Sequence, residues 1–192
     1  MRPAKISQQD LMTRCAAVFK GAGYHGTSME DLAQACGLTK ASFYHHYRSK
    51  DVLLEQILIH THESLRVTLF KVAFDESLPP LDRLQIIGVK TRKLFASGSI
   101  GCLMGVIAID VAYSLPHLLV PIRLFMDEWA LALAHIFNKR FSAEEALAKG
   151  RRAVADYEGA MLMARISGEL GPIDAVTDSA IAHFKQSQGA TR

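Results

Sequence analysis

Five side chains that can donate hydrogen bonds lie within seven residues near the N-terminus. They are Lys40, Ser42, Tyr44, His45 and His46. A lysine ammonium group can donate to O6 and N7 of guanine, and a serine hydroxyl can bond to either base of a pair. On one short helix, such side chains could reach base edges in the major groove. The pattern is therefore typical of a surface that reads DNA.

The charge distribution favours an anionic partner for the same part of the chain. The 192-residue sequence carries a net charge of +3. Residues 1–50 contain seven Lys or Arg and three Asp or Glu, so this segment carries +4. A basic segment joined to a nearly neutral remainder indicates that one end of the protein meets the anion.

The sequence gives little support for an enzyme or a metal site. We find none of the motifs GxSxG, HExxH or a phosphate-binding loop. His60 and Glu63 would share a helical face, but two ligands alone make a weak metal site. A solvated or interdomain face is the favoured interpretation of these residues. We therefore expect no catalytic activity, no metal and no cofactor.

Capping residues predict three short helices within residues 7–47. Ser7 can cap the first helix, Ser28 (or Thr27) the second and Thr39 the third. Gly37 would end the second helix. A turn of about three residues then separates the second and third helices, as in a helix-turn-helix.

The remaining sequence predicts a helical body and no strand. Ser49 would cap a fourth helix, and Ser142 with Glu145 would form a capping box for the eighth. The fifth helix is expected to begin at Pro80, and the sixth to run from Ile100 to Ser114. The seventh is expected from Leu118 to Arg140 and the eighth from its cap at Ser142 to Ser167. A ninth helix would end at Lys185. The fold class is therefore all-α, with about nine helices.

Apolar patterning and cysteine content indicate the compartment. No apolar run reaches the 18 or more residues of a membrane span, and residues 1–10 lack the apolar core of a signal peptide. Cys15, Cys36 and Cys102 form no CxxC pair and no disulfide framework. We expect a protein of the reducing cytoplasm without a membrane partner.

Residues 7–58 closely resemble the DNA-binding signature of TetR-family transcriptional regulators. The resemblance is strongest in residues 23–54, which read GYHGTSMEDLAQACGLTKASFYHHYRSKDVLL. Their glycines, caps, aromatic residues and Ser-Lys-Asp entry to the fourth helix fall in the family's register. The later segments Gly101–Gly105 and Gly159–Arg165 are similar to the start of the family's sixth helix and to its eighth, dimer-forming helix.

The resemblance implies a two-domain, ligand-responsive regulator. Residues 1–47 would bind DNA, and residues 48–192 would bind a small-molecule effector and form a homodimer. The dimer would bind a near-palindromic operator, usually as a repressor, and a largely apolar effector would release it. An activator of the same fold, or a helical small-molecule-binding protein without operator binding, are the alternatives.

The resemblance also assigns DNA contacts to individual residues. Lys40 and Ser42 would meet base edges, and Tyr44 would contact phosphate and base. Thr27, Ser28 and Thr39 are caps first and phosphate contacts second. The full predicted set is Thr27, Ser28, Thr39, Lys40, Ser42, Tyr44, His45, His46 and Lys50.

An effector pocket is expected among the apolar residues of the middle helices. Asp110 stands in an apolar stretch, where a buried carboxylate needs a partner. Cys102 is either a sensor of electrophiles or inert packing. The predicted pocket residues are Leu94, Cys102, Met104, Ile107, Asp110, Tyr113, Phe125 and Trp129.

Small and apolar residues of the last two helices predict the dimer interface. Small side chains let helices approach closely, so two helices from each chain could form a four-helix contact. The predicted interface residues are Ala153, Gly159, Ala160, Met163, Ala164, Ile181 and Phe184.

Overall fold

A computed structural model describes residues 6–186. Within these residues the chain forms nine α-helices and no strand, which confirms the all-α prediction. The helices are α1 (Gln8–Ala22), α2 (Met29–Ala35), α3 (Lys40–His46), α4 (Lys50–Thr68), α5 (Pro80–Ala96), α6 (Leu103–Val111), α7 (Leu119–Phe137), α8 (Ala143–Ser167) and α9 (Gly171–Gln186). Two short 3-10 helices, Phe70–Phe74 and Pro116–Leu118, were not expected.

The predicted helix caps are present. The Ser7 hydroxyl accepts a hydrogen bond from the Asp10 amide at 3.0 Å, and the Thr39 hydroxyl accepts one from the Ser42 amide at 3.3 Å. Ser28 forms a reciprocal capping box with Asp31, and Ser142 forms one with Glu145. These contacts satisfy amides that lack a partner in the first helical turn, so local sequence fixes where these helices begin.

The turn between α2 and α3 is closed by Gly37. Gly37 adopts φ +67°, a left-handed conformation that glycine adopts without steric cost. The Leu38 amide donates to the Ala33 carbonyl at 2.9 Å, and the Gly37 amide donates to the Gln34 carbonyl at 3.0 Å. This pair of bonds is a Schellman motif, which ends α2 and turns the chain toward α3.

The prediction for the sixth helix is wrong at both ends. The helix was expected from Ile100 to Ser114, but α6 spans only Leu103–Val111. Gly98 and Gly101 take φ values of +67° and +138°, which a helix cannot accommodate, so the chain remains irregular through Cys102. At the other end, the Ser114 and Leu115 amides both donate to the Val111 carbonyl, which closes a turn before Pro116.

The chain divides into two compact units. The described part of the first comprises residues 6–63 and 103–122, and the described part of the second comprises residues 64–102 and 123–186. Phe19, Leu32 and Phe43 are fully buried in the first unit, and Trp129 and Phe125 are buried in the second. The proposed functional boundary after residue 47 concerns activity and stays a prediction.

Two of the three cysteines meet inside the first unit. The sulfur atoms of Cys15 and Cys36 lie 3.5 Å apart, and both thiols are free and buried. Burial raises the pKa of the Cys15 thiol far above its ordinary value. Both residues therefore act as core packing between α1 and α2, since an un-ionised thiol is a poor nucleophile.

No helix of residues 6–186 combines the length and hydropathy needed to span a membrane.

Candidate nucleic-acid interface

Helix α3 is anchored by one residue and otherwise faces outward. Phe43 is fully buried, and its ring lies 5.5 Å from that of the half-buried Tyr47. The other six residues of α3, including Ala41, are exposed. Because a single aromatic anchor holds the helix, nearly its whole polar surface is available to a partner.

Lys40 lies at the exposed N-terminus of this helix. Its Nζ donates to Glu30 Oε2 at 2.9 Å, and both side chains are more than half exposed. The hydrogen bond with Glu30 raises the pKa of Lys40, so the ammonium stays charged. An exposed ion pair is weak, because water and salt screen it. Lys40 can therefore exchange Glu30 for a nucleic-acid acceptor.

The remaining predicted contacts of α3 are also accessible. Tyr44 is 43% exposed, and Ser42, His45 and His46 are exposed. The rings of His45 and His46 lie 5.7 Å apart. Together these residues offer hydroxyl and imidazole donors over one surface, as base or phosphate contacts require.

Ser28 and Thr39 hold their caps while remaining exposed, whereas Thr27 does not face outward. The Thr27 side chain is buried, and its hydroxyl donates to the Gly23 carbonyl at 2.6 Å. A hydroxyl committed to an internal carbonyl is not placed to donate to phosphate. Its assignment as a side-chain contact to DNA therefore finds no support in the geometry.

Lys50 also has an internal role that the sequence analysis missed. Its Nζ donates to the backbone carbonyls of Tyr24 and Thr27, both at 2.7 Å, and lies 4.0 Å from the centre of the Tyr24 ring. Burial lowers the pKa of Lys50, an effect that nearby Asp110 opposes. The ammonium group thus secures the loop between α1 and α2. Only the amides at the start of α4 remain suited to phosphate.

Asp110 secures the same loop from α6. Its Oδ2 accepts a hydrogen bond from the Tyr24 amide at 2.7 Å, and its backbone oxygen lies 3.1 Å from His25 Nε2. Gly23 takes φ +73°, and a Cβ atom there would stand 2.2 Å from Asp110 Oδ2. The only sequence signal for Asp110 was its position in an apolar stretch. A pocket role was predicted from that signal, and the contact of Asp110 with the α1–α2 loop was not foreseen.

The other predicted pocket residues divide between the two units. Met104 and Ile107 are buried in the first unit, whereas Cys102, Phe125 and Trp129 are buried in the second, with Leu94 partly buried there. Tyr113 is fully exposed, so its expected burial in an apolar pocket is wrong. It lies just after the end of α6, where the chain turns.

An aromatic cluster surrounds Trp129 in the second unit. The Trp129 ring lies 5.8 Å from Phe95, 5.9 Å from Phe125 and 5.5 Å from Tyr157, on which it stacks. The Tyr157 hydroxyl is 2.8 Å from the Thr177 hydroxyl. We call Phe95, Phe125, Trp129 and Tyr157 the aromatic cluster. Phe125 and Trp129 were predicted pocket residues, whereas their ring partners on α5 and α8 were not.

Most predicted dimer residues are already covered within the single chain. Ala153, Ala160, Ala164 and Phe184 are buried, whereas Gly159 and Met163 are exposed and Ile181 is partly exposed. Two further residues of α8, Leu162 and Ile166, are 56% and 72% exposed, and Leu162 was not expected at the interface. The exposed apolar face of α8 therefore comprises Gly159, Leu162, Met163 and Ile166.

The candidate metal ligands do not form a larger set. In residues 6–186, the structure shows no group of three or more His, Cys, Asp or Glu side chains that could hold a metal ion.

Comparison with known sequences identifies the N-terminal segment. Residues 12–57 match the family described as bacterial regulatory proteins, tetR family. The chain is 25% identical over 173 residues to the HTH-type transcriptional repressor DhaR of Mycobacterium sp. (strain GP1), covering 87% of this chain and 86% of that protein. It is 30% identical over 76 residues to the HTH-type transcriptional repressor KstR2 of Mycobacterium tuberculosis (strain H37Rv), covering 40% of this chain and 38% of that protein.

Solved structures show the same fold over nearly the whole chain. A TetR transcriptional regulator from Legionella pneumophila superposes with a TM-score of 0.82 at 19% identity, covering 96% of this chain and 98% of that one. The reduced form of E. coli NemR gives a TM-score of 0.74 at 20% identity, covering 93% and 94%. The matched N-terminal segment and the sequence relatives identify the chain as a TetR-family transcriptional regulator, and the solved structures show that it has the same fold.

Proposed function

We propose that this protein is a repressor that binds a near-palindromic operator as a homodimer and is released by a small, largely apolar effector. The names of relatives such as DhaR and KstR2 support repression over activation. An operator-binding regulator acts where the chromosome is, so the proposal includes the cytoplasm.

The observation that carries the proposal is the exposure of α3. Only Phe43 of its seven residues is buried, and Lys40 lies at its N-terminus, paired with an exposed Glu30. In a helix-turn-helix, the N-terminal residues of the second helix of the motif contact base edges. We assign base contacts to Lys40 and Ser42, and base or phosphate contacts to Tyr44, His45 and His46.

Phosphate contacts come from the flanking helix starts. Ser28 and Thr39 are exposed caps, and the first amides of α2, α3 and α4 carry the partial positive charge of helix N-termini. Thr27 and the Lys50 ammonium group are left out of this interface because internal carbonyls already bind them.

The exposed apolar face of α8 supports the homodimer. Leu162, Met163 and Ile166 lie on this face with Gly159, whose Cβ position is free of neighbours within 4 Å in the single chain. A contiguous apolar surface of this kind is stabilised when a second copy covers it. A dimer also explains why two recognition helices would meet the two halves of an operator.

The aromatic cluster supports an effector site in the second unit. Its four rings surround Trp129, and ligand sites are lined mainly by apolar and aromatic side chains. An apolar effector would gain most of its binding free energy from burial against these rings.

Operator binding tests the proposal directly. A duplex would be selected from random DNA by the full-length protein, and its affinity measured by fluorescence anisotropy. Loss of a base contact costs about 1–3 kcal/mol, so Lys40→Ala combined with Tyr44→Ala should weaken binding by about tenfold or more. Lys71→Ala, which removes an exposed cation in the second unit, is the matched control and should bind as the wild type does.

Two results would contradict the proposal. One is failure of the wild-type protein to enrich any duplex sequence. The other is equal operator binding by the wild type and the double variant, provided that both show the same thermal unfolding.

A further inference from the structure

The second unit contains three buried polar atoms without a hydrogen-bond partner among the described residues. They are Thr91 Oγ1, Trp129 Nε1 and Glu158 Oε1. Thr91 and Trp129 are each at most 1% exposed. Nearly all buried polar groups in proteins are paired, and leaving one unpaired costs about 1–3 kcal/mol. Three such atoms in one unit need an explanation.

Each of the three atoms belongs to a residue of the aromatic cluster or to one that lies close to a cluster residue along the same helix. Trp129 is its centre, and Glu158 directly follows Tyr157 in α8. Thr91 lies one helical turn before Phe95, which contacts Trp129. Gly88 lies three residues before Thr91 on α5. A Cβ atom at Gly88 would stand 2.2 Å from the Thr177 side chain, which hydrogen-bonds to Tyr157. Trp129 is thus part of the rings, and Thr91 and Glu158 lie one helical turn and one residue from ring residues along α5 and α8.

The charges of this region favour a particular kind of ligand. Glu158 is partly buried, which raises the pKa of its carboxyl group, and the Cys102 thiol hydrogen-bonds to it. Arg83 is the only Arg or Lys classed as buried among the described residues. Its guanidinium already binds the carbonyls of Leu78 and Ala73 and the carboxylate of Glu76. An anionic ligand would therefore find a carboxyl group and no available buried cation.

We propose that the effector is an aromatic compound that carries a protonated nitrogen and a separate hydrogen-bond acceptor. This inference rests on the effector site of the proposed function and names its chemistry. The aromatic part packs against Trp129 and Tyr157, and the protonated nitrogen donates to Glu158 Oε1. The hydrogen-bond acceptor of the effector accepts from Trp129 Nε1–H. The Thr91 hydroxyl can donate a hydrogen bond to the effector or accept one from it. A cation also gains from the faces of the surrounding rings.

A series of probes that share one aromatic part and differ in the charge of the substituent tests the inference on the unmodified protein. We would compare 6-methoxy-2-naphthyl compounds bearing an aminomethyl, hydroxymethyl or carboxymethyl group by isothermal titration calorimetry at pH 7. We expect the amine to bind about tenfold or more tightly than the carboxylate, because a buried charge needs an opposite charge. Equal affinities, preference for the carboxylate, or no binding of any probe would overturn the inference.

A variant identifies Glu158 as the source of the preference. Glu158→Gln keeps the shape of the side chain and removes its charge, so the preference for the amine over the carboxylate should fall by about tenfold. Glu144→Gln, an exposed position in the first turn of the same helix, is the matched control and should keep the wild-type preference. An unchanged preference in a folded Glu158→Gln variant would also overturn the inference.

The site is located by intrinsic fluorescence. Trp129 is the only tryptophan in the sequence. Energy transfer to the naphthyl ring should therefore quench its emission in step with binding, after correction for probe absorbance. Binding without any change in Trp129 emission would place the probe elsewhere and contradict the assignment.

Operator release separates this inference from the proposed function. If the amine binds in a Glu158-dependent manner and the operator stays bound, the ligand-responsive repressor is wrong and the assignment of ligand chemistry stands. If anionic or uncharged apolar compounds release the operator equally from the wild type and Glu158→Gln, the repressor stands and this inference is wrong.

Discussion

The role of an individual charged residue in this protein depends on which groups surround it. Lys40 and Lys50 both stand at helix starts near the N-terminus, but only Lys40 is exposed to a partner. Lys50 instead binds two carbonyls of the α1–α2 loop, and Asp110 binds an amide of the same loop. These two residues therefore hold the loop that leads into α2, the helix that precedes α3.

Glu76 shows the same dependence in the second unit. Its Oε1 lies 2.9 Å from both Lys139 Nζ and His135 Nε2, and its Oε2 lies 3.1 Å from Arg83 Nη2. Hydrogen bonds from Lys139, then Arg83 and His135, lower the pKa of Glu76 to about 2. A carboxyl group with a lowered pKa in the folded state stabilises the protein when it is ionised.

We predict that the stabilisation by Glu76 is lost in acid. Its ordinary pKa is 4.5, so the contribution is fully present above that pH and disappears as the pH falls toward about 2. Glu76→Gln should therefore lower the free energy of unfolding at pH 7, and its difference from the wild type should shrink between pH 5 and pH 3. Urea unfolding at each pH measures this difference.

Glu169→Gln, at an exposed carboxyl group after α8, is the control for a general charge effect. A Glu76→Gln deficit that stays constant down to pH 3 would show that the side-chain shape, and not its charge, stabilises the protein.

At the scale of the elements, glycines decide how closely helices pack. Gly150 of α8 lies against the backbone of α7, and a Cβ there would stand 2.3 Å from the Ala130 carbonyl oxygen. A backbone oxygen within a helix cannot turn aside as a flexible side chain can. The two helices can therefore keep this spacing only with glycine at position 150.

We predict opposite effects for two glycine substitutions in α8. Gly150→Ala should lower the free energy of unfolding by about 1–3 kcal/mol, as overpacking does. Gly159→Ala meets no atom within 4 Å in the single chain, so the better helix propensity of alanine should raise it by up to about 1 kcal/mol. Urea unfolding at one fixed protein concentration compares them. Equal effects of the two substitutions would contradict the close contact between α7 and α8.

At the scale of the whole molecule, we expect one exposed apolar surface to be covered in the dimer and a second to stay exposed. One is the exposed face of α8 with Leu162 and Ile166, and another includes Leu124 and Leu131 of α7. The α8 face belongs to the segment that resembles the family's dimer-forming helix. We therefore assign the dimer interface to α8.

We predict that Leu162→Glu weakens the dimer and operator binding together. A buried carboxylate without a partner is costly in an interface, and a monomer meets only one half of the operator. Sedimentation velocity and anisotropy measure the two effects. Leu124→Glu is the matched control, because Leu124 is 59% exposed and Leu162 is 56% exposed. A dimer disrupted by the Leu124 variant and not by the Leu162 variant would move the interface to α7.

The sequence alone determined the helical class, the helix-turn-helix and the starts of the helices that have a capping side chain. The caps at Ser7, Ser28, Thr39 and Ser142 each join groups three residues apart, so the residue types reveal them without knowledge of the fold. The family signature in residues 23–54 is equally local, because it consists of caps, glycines and an aromatic anchor in fixed order.

Only the tertiary structure decided which of these residues remain available to partners. The Asp110 carboxylate meets the Tyr24 amide 86 residues away, and Lys50 meets the Tyr24 carbonyl 26 residues away. Ala160 and Leu162 belong to the same helix, but one is buried and the other is exposed. Such outcomes depend on how helices pack across long sequence separations, and residue type and local spacing do not specify that packing.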